Sequence, residues 1–362
     1  RSIPLLILNQ WVPGSSPGGR TKTSASYQPG VFHFNRRLNQ NHLVTAFKDL
    51  TVEQQVATLE PLAASLVESY GLGPCQIESI NHEFNSTFKV TTGDGTKYAL
   101  RINVNSQRTL ENVRAEIFWV LELSKVQGLT VPTPVANQRG EYVSSVWHEP
   151  LGKDLWAVMF TWLEGAELAE DPAPEALRAT GAAIARMHLA SRETQLPAGA
   201  ELTVISEFFW GGSNTIATSP EVPESAREVL LAEIDRIQSV TDRLYAEGKP
   251  QIIHADVHGW NVMWNGTAAA IFDFDDCAIG LPIQDIAVTL YYLDTAEQEQ
   301  LVLEGYRSVA PLPEYTQEDM DALVLQRRIF LLNYLLETEN PEHKAMVPKY
   351  LEKTLERIAE GK

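Results

Sequence analysis

The sequence His-Ala-Asp-Val-His-Gly-Trp-Asn at 254–261, with Ile-Phe-Asp-Phe-Asp-Asp at 271–276 shortly after it, decides the fold that this chain is expected to adopt. Short apolar runs at 252–253 and 269–274 accompany the two halves and predict buried strands. A buried strand holds the polar side chains at its end in fixed positions. The densest polar cluster of the chain is therefore expected on rigid loops, as an active site requires.

Phosphoryl transfer needs two kinds of side chain that this stretch supplies. A carboxylate must orient the attacking hydroxyl and accept its proton, and hard oxygen ligands must hold Mg²⁺ against the phosphates. Asp256 suits the first task, and Asn261 with Asp273 suits the second. Asn261 can bind the metal without adding a third full negative charge. The stretch therefore predicts a catalytic base and a magnesium site.

The segment before this stretch offers groups that could bind phosphates. Arg101 lies on a predicted strand, and Glu116 lies on the helix predicted to follow it. An ion pair between them could aim the guanidinium at a nucleotide. Ser86 and Thr87 lie at the predicted turn between the first two strands, where backbone amides and a hydroxyl could cover phosphate oxygens.

These motifs resemble the aminoglycoside phosphotransferase and choline kinase family, which has a protein-kinase-like fold. The family's catalytic stretch is His-Gly-Asp-x-x-x-x-Asn, followed by Asp-Phe-Asp or Asp-Phe-Glu. Residues 254–261 and 273–275 match that spacing, with Ala255 in place of the glycine. Weaker matches lie at 159–165, 181–188 and 284–287. Together the matches cover roughly residues 75–295, and their combination is specific although no single element is.

The resemblance implies the same roles that the chemistry suggests: Asp256 as the catalytic base, and Asn261 and Asp273 as magnesium ligands. It also implies that His254 supports the loop and takes no part in the chemistry. The roles of His258 and Asp275 stay open between binding a ligand or metal and forming hydrogen bonds that hold the loop.

The nucleotide-binding elements differ from the commonest kinase pattern in one position. Many kinases have a lysine where this chain has Arg101, although arginine occurs in the homoserine-kinase-like branch of the family. The resemblance places an interlobe hinge at 159–165. Phe160 and Trp162 are therefore expected to contact the base of the nucleotide. That nucleotide could be ATP or GTP, because the hinge reads the base largely through backbone groups.

The order of the predicted elements gives an α+β chain with a β-rich N-terminal lobe and a helical C-terminal lobe. The resemblance implies that these lobes form a two-lobed, protein-kinase-like fold. Residues 46–163 form the first lobe with the phosphate-binding elements, and residues 164–362 form the catalytic and substrate lobe. Residues 1–45 are rich in Ser, Gly, Pro and Asn and lack sustained periodicity, which predicts a disordered or atypical extension.

Charge and cysteine content limit the partners. The chain has 29 Lys and Arg against 47 Asp and Glu, a net charge of −18, which repels nucleic acid and anionic membranes and favours a cationic substrate. It lacks the run of ~18 apolar residues that a membrane span needs. Two cysteines are too few for a secreted disulfide scaffold, so a cytoplasmic location is expected. The oligomeric state cannot be read from the sequence.

Three other functions compete with a small-molecule kinase. One is a metal-dependent hydrolase with a two-metal site. Its ligands would be His254, Asp256, His258, Asp273 and Asp275. The others are a kinase-like protein that binds nucleotide without catalysis, and a kinase acting on protein Ser or Thr. The hydrolase leaves Asn261 without a task, and no activation segment is recognisable at 277–282.

The sequence therefore predicts an ATP- and magnesium-dependent phosphotransferase. Its acceptor is expected to be a hydroxyl of a small, amine-bearing molecule, such as an aminoglycoside, a choline-like alcohol or a hydroxyamino acid. The acidic composition is the reason for expecting the amine.

Overall fold

The computed structural model describes residues 47–361 except 83, 169–171 and 339. The extension predicted at 1–45 lies outside the described residues. The chain divides into two compact units: a strand unit, with the described residues up to 106 and residues 137–158, and a helical unit, with 107–136 and the described residues from 159 onward. The lobe boundary at 163 stays a prediction.

The helices and strands of the described residues are labelled here in chain order. The strands are β1 (Cys75–His82), β2 (Asn85–Thr92), β3 (Lys97–Asn103), β4 (Pro134–Val135), β5 (Val143–His148), β6 (Lys153–Thr161), β7 (Ala166–Glu167), β8 (Gln251–Ile253), β9 (Val262–Trp264), β10 (Ala269–Ile271) and β11 (Ala278–Gly280). The helices are α1 (Val52–Glu68), α2 (Leu110–Leu123), α3 (Pro174–Ser191), α4 (Glu224–Glu247), α5 (Pro282–Tyr291), α6 (Ala296–Arg307), α7 (Gln317–Glu337), α8 (Pro341–Lys344) and α9 (Val347–Ala359).

The strand unit is built on an antiparallel sheet in which β1, β2 and β3 are consecutive neighbours. Gly95 has a φ of +88° in the turn between β2 and β3, a conformation that glycine adopts without steric cost. The sequence Gly-Asp-Gly at 93–95 predicts this hairpin, and the pairing of β2 with β3 confirms it. Ser86 and Thr87, however, lie within β2, opposite Ile102 and Arg101, and not in the turn before it. The sequence predicts that this strand begins at Ser86, but it begins at Asn85, so the turn is shorter.

In the helical unit, two antiparallel strand pairs hold the loops of the catalytic stretch. Ile253 of β8 pairs with Ala278 of β11, and Val262 of β9 pairs with Ile271 of β10. The chain segments 254–261 and 272–277 both connect the same two pairs, so they run side by side. This topology brings the two halves of the motif together.

Close packing of helices surrounds these loops. A Cβ at Gly181 on α3 would lie 1.9 Å from the carbonyl oxygen of Val302 on α6, so only glycine permits this approach. Trp119 of α2 packs edge-on against Phe274 with 5.4 Å between ring centroids, and its indole nitrogen donates to Ser191 at 2.9 Å. The segment after β10 is therefore anchored to two helices.

Several predicted elements differ from the observed ones. The strand predicted at 269–274 ends at 271, because the chain turns into a left-handed residue and a short 3₁₀ helix. The sequence at 131–135 predicts a strand, of which only β4 forms. The sequence at 317–360 predicts a helical tail, which is divided into α7, α8 and α9. No helix in the described part of the chain is long and apolar enough to cross a membrane.

Candidate active site

Asp256 lies three residues after the end of β8 and is only 6% exposed. Its Oδ1 accepts a hydrogen bond from Nη2 of Arg327, and its Oδ2 lies 3.2 Å from both His258 Nε2 and Asn261 Nδ2. Burial opposes ionisation, but His258 and then Arg327 outweigh it and lower the pKa of Asp256 to about 2. The carboxylate is therefore ionised at neutral pH.

Asn261 is buried beside Asp256 and is oriented by it. Its Nδ2 donates to the backbone oxygen of Asp256 at 2.9 Å and to the carboxylate, so the amide nitrogen must be on this side. That orientation leaves Oδ1 buried with no hydrogen-bond partner. An unsatisfied buried oxygen costs about 1–3 kcal/mol, and a hard cation is a fitting partner for it.

Asp273 lies on the neighbouring segment in a left-handed conformation, with φ of +62° and ψ of +65°. The preceding residue, Phe272, donates its N–H to the carbonyl of Asn261 at 3.0 Å. The two predicted magnesium ligands thus lie on segments that are bonded to each other. A left-handed non-glycine residue is strained, and such strain is concentrated at functional sites.

Asp285, at the start of α5, holds the backbone of the catalytic loop. Its carboxylate accepts the N–H of His254 at 3.0 Å and that of Ala255 at 2.7 Å, and it lies 3.0 Å from His188 Nε2. These bonds lower the pKa of Asp285 although burial acts in the opposite direction. Ala255 has a φ of +66°, which explains why the family pattern has glycine there.

His254 uses both ring nitrogens for support. Nε2 lies 3.0 Å from the carbonyl oxygen of Phe272 and must carry a proton, while Nδ1 accepts the N–H of Asp256 at 3.3 Å. Burial lowers the pKa of His254, in keeping with a neutral ring. A metal ligand would need a free nitrogen, so this geometry opposes the two-metal hydrolase.

His258 and the aspartates after Asp273 have more local roles. His258 accepts the N–H of Trp260 at 3.2 Å and caps a 3₁₀ turn, so it is hydrogen-bonded within the loop. Desolvation by neighbouring atoms and then the negative charge of Asp256 raise the pKa of Asp276 to about 6. The Asp276 side chain is exposed, so water screens part of that rise. The Arg108 guanidinium lies close by and donates to the Cys277 carbonyl at 3.2 Å.

The predicted nucleotide-binding residues are divided between the units. In the helical unit, Glu116 is buried on α2, Phe160 is buried in β6, and Trp162 is half-buried just after that strand. The strand unit contains the others. They are Arg101, Ser86 and Thr87. Their roles, including the pair of Arg101 with Glu116, stay predictions.

In the strand unit, Arg101 is buried on β3, and Ser86 is completely buried with its hydroxyl 2.5 Å from His82 Nδ1. Thr87 is half-buried. Ser86 could reach a phosphate only if its bond to His82 were broken.

Sequence reasoning missed Arg327, a buried cation on α7 that contacts both Asp256 and the hydroxyl of Tyr292. The available signal was an arginine within a helix that is buried on most of its sides, where charge is rare unless it is paired. Asp285 was noticed only as part of a weak motif. Its partners lie about 30 residues away, so no local pattern reveals its task.

Comparison with known proteins identifies the class. Residues 76–319 match the model of the phosphotransferase enzyme family, and the chain therefore belongs to that family. Homoserine kinase of Afipia carboxidovorans is 26% identical over 232 residues, which is 61% of this chain and 67% of that protein. Hydroxylysine kinase of Bos taurus is 23% identical over 300 residues, which is 74% of this chain and 79% of that protein.

Solved structures show the same fold. A microcompartment-associated aminopropanol kinase superposes with a TM-score of 0.70 at 22% identity, covering 81% of this chain and 94% of that one. An amicoumacin kinase in complex with AMP-PNP, Ca²⁺ and Ami has a TM-score of 0.68 at 20% identity, covering 85% and 96%. The predicted family, the two-lobed kinase-like fold and the phosphotransferase class are confirmed.

Proposed function

We propose that this enzyme transfers the γ-phosphoryl group of magnesium-bound ATP, or GTP, to a hydroxyl of a small molecule that also carries an amino group. The observation that carries the proposal is the pair of an ionised Asp256 and an Asn261 whose buried Oδ1 has no partner. The names of the relatives, which include homoserine, hydroxylysine and aminopropanol kinases, describe substrates with both groups. The net charge of −18 also favours an amine.

The proposed chemistry is an in-line displacement. The substrate hydroxyl donates a hydrogen bond to Asp256, its oxygen forms a bond to the γ-phosphorus, and the bond from that phosphorus to the β-phosphate oxygen breaks. The proton passes to Asp256. Because the pKa of Asp256 is low, its main contribution is to orient the hydroxyl until the proton is released late in the reaction.

The residues present fit a magnesium ion. Asn261 Oδ1 and the Asp273 carboxylate would hold it, and the ion would neutralise phosphate charge. Arg101, supported by Glu116, is proposed to contact the phosphates. The remaining nucleotide contacts are proposed from the sequence. They are Thr87, Phe160, Trp162 and, once its hydrogen bond to His82 is broken, Ser86.

A kinase acting on protein Ser or Thr is less well supported. Residues 277–281 are the whole connection between the 3₁₀ helix that follows Asp273 and helix α5, and β11 occupies most of it. This connection has no room for an activation segment on which a peptide could dock. The short connection favours a small acceptor.

Calorimetric titration with ATP, with and without Mg²⁺, tests the proposal. We expect magnesium-dependent binding that Asp273→Ala abolishes. Asp256→Asn should retain that binding within about threefold while kcat falls by about 10²- to 10⁴-fold, because only the transition-state role of the carboxylate is removed. The control is Asp235→Ala, at an exposed position of α4. Absence of binding for both ATP and GTP would contradict the proposal.

A further inference from the structure

Arg327 has a donor that the phosphoryl chemistry does not use. The side chain is 7% exposed, and its Nη2 donates to both Asp256 Oδ1 and the Tyr292 hydroxyl, the latter at 2.9 Å. Its Nε is buried and has no hydrogen-bond partner. A guanidinium donates from every nitrogen and accepts at none, so Nε requires an acceptor from elsewhere. Leaving it without one costs about 1–3 kcal/mol.

Trp210 carries a second donor of the same kind. Its Nε1 is buried and has no hydrogen-bond partner, although the indole as a whole is only half-buried. Its backbone has a φ of +54°, which is rare for a bulky residue and costs free energy unless the surroundings hold it. An indole can only donate, so this atom also lacks an acceptor.

The side chains that carry the two donors both contact one aromatic ring, and Arg327 also contacts the catalytic carboxylate. The Trp210 ring lies 4.6 Å from that of Phe330, and the Arg327 guanidinium carbon lies 5.9 Å from the centroid of the same ring. Trp210 also packs against the small apolar cluster that includes Ala255, the neighbour of Asp256. We call Arg327, Trp210 and Phe330 the aromatic wall. Two buried donors without partners, on side chains that meet at the Phe330 ring, suit a group that offers two acceptors.

The donors of the aromatic wall favour binding of an anionic group of the substrate. Its guanidinium would repel a choline-like trimethylammonium group, whereas a carboxylate offers two oxygens and forms strong charge-assisted hydrogen bonds with arginine. A substrate with both a carboxylate and an amino group is zwitterionic and would add no net charge to this buried place. Such a substrate also agrees with the acidic composition of the chain.

We propose that the aromatic wall binds the carboxylate of the acceptor, so that the substrate is a hydroxyamino acid and not a plain amino alcohol. This inference rests on the proposed function, and it assigns a binding site to Arg327 and Trp210. Arg327 thereby acts on both partners of the reaction: it holds Asp256 and positions the substrate whose hydroxyl Asp256 receives.

The test uses pairs of alcohols that differ by the carboxylate alone: L-homoserine with 3-aminopropan-1-ol, L-serine with 2-aminoethanol, and L-threonine with 1-aminopropan-2-ol. We expect kcat/KM for at least one acid to exceed that of its partner at least about tenfold. Trp210→Phe keeps the ring and removes the N–H. It should raise KM for that acid about five- to tenfold, with kcat within about twofold and the amino alcohol unaffected.

Trp147→Phe is the matched control, because Trp147 is 53% exposed and lies in the strand unit. Arg327→Lys keeps the positive charge but removes the Nε donor. We expect this variant also to raise KM for the preferred acid. Equal kcat/KM within every pair, or an acid preference that Trp210→Phe leaves unchanged, would overturn the inference. So would an enzyme that binds magnesium-ATP but phosphorylates none of the three acids, and that result would leave the proposed function standing. If the protein binds no nucleotide, both this inference and the proposed function are wrong.

Discussion

Two regions border the catalytic carboxylate and differ in how completely their polar groups are bonded. In segment 254–261, Asp285 accepts two backbone N–H groups, and both ring nitrogens of His254 have partners. In the aromatic wall, Arg327 Nε and Trp210 Nε1 are buried without partners. The first region is held by the protein itself, whereas the second has donors left over for another molecule.

This difference separates two requirements of an enzyme. Catalytic groups gain from being fixed before the substrate arrives, because misplacement costs rate. A recognition surface gains from unpaired groups, since a bonded donor would first have to lose its partner. The exception within 254–261 is Asn261 Oδ1, and it is the proposed ligand of a metal that must also come from outside.

The largest effect on segment 254–261 is expected from Asp285→Asn. An amide replaces one carboxylate oxygen with a donor that faces another donor, so we expect kcat to fall about 10²-fold and the free energy of unfolding to fall by about 3 kcal/mol. Steady-state kinetics and urea unfolding measure the two effects. The preference for acid over amino alcohol should be unchanged, because the aromatic wall is intact.

The control for this variant is Asp235→Asn, at an exposed position of α4. A kcat within threefold of wild type in Asp285→Asn would show that the bonds to the loop backbone do not matter for the reaction.

A pH titration tests whether Asp256 is ionised and paired in the folded protein. Its pKa in the folded protein, about 2, is below the ordinary value of 3.8, so the charge stabilises the fold above about pH 4 and this stabilisation is lost as the pH falls toward 2. Between pH 6 and pH 3, wild type should lose about 1 kcal/mol more unfolding free energy than Asp256→Asn. Urea unfolding at the two pH values measures it, and parallel losses would rule out the ionised pair.

The smallest effect is expected at Tyr306, which reaches Asp285 only through His188. The Tyr306 hydroxyl lies 3.0 Å from His188 Nδ1, and His188 in turn bonds Asp285. Tyr306→Phe removes one buried hydrogen bond and should lower the free energy of unfolding by about 0.5–1 kcal/mol, with kcat within about twofold. Thermal unfolding compared with the exposed Tyr142→Phe checks this. A large fall in kcat would mean that the bonded region extends further than we infer.

Much of the site could be predicted because its chemistry lies in a local pattern. Asp256, Asn261 and Asp273 lie within one short stretch, and their spacing alone indicates a base and metal ligands. Strand β3 is also predicted locally: the sequence predicts a strand at 97–103 after a glycine turn, and these are its observed bounds. Helix α4 was missed, because its narrow apolar stripe lies among many charged residues.

The sequence by itself determined the family, the class of reaction and the residues of the catalytic stretch, because neighbours in the chain stay neighbours in the fold. Only the tertiary structure decided which distant groups surround them. Asp285, Arg327 and Trp210 come from segments about 30 to 70 residues away, brought there by strand pairing and helix packing. Which donors remain unpaired is a property of that packed arrangement, since a hydrogen bond is made or left unmade only when the whole surroundings are in place.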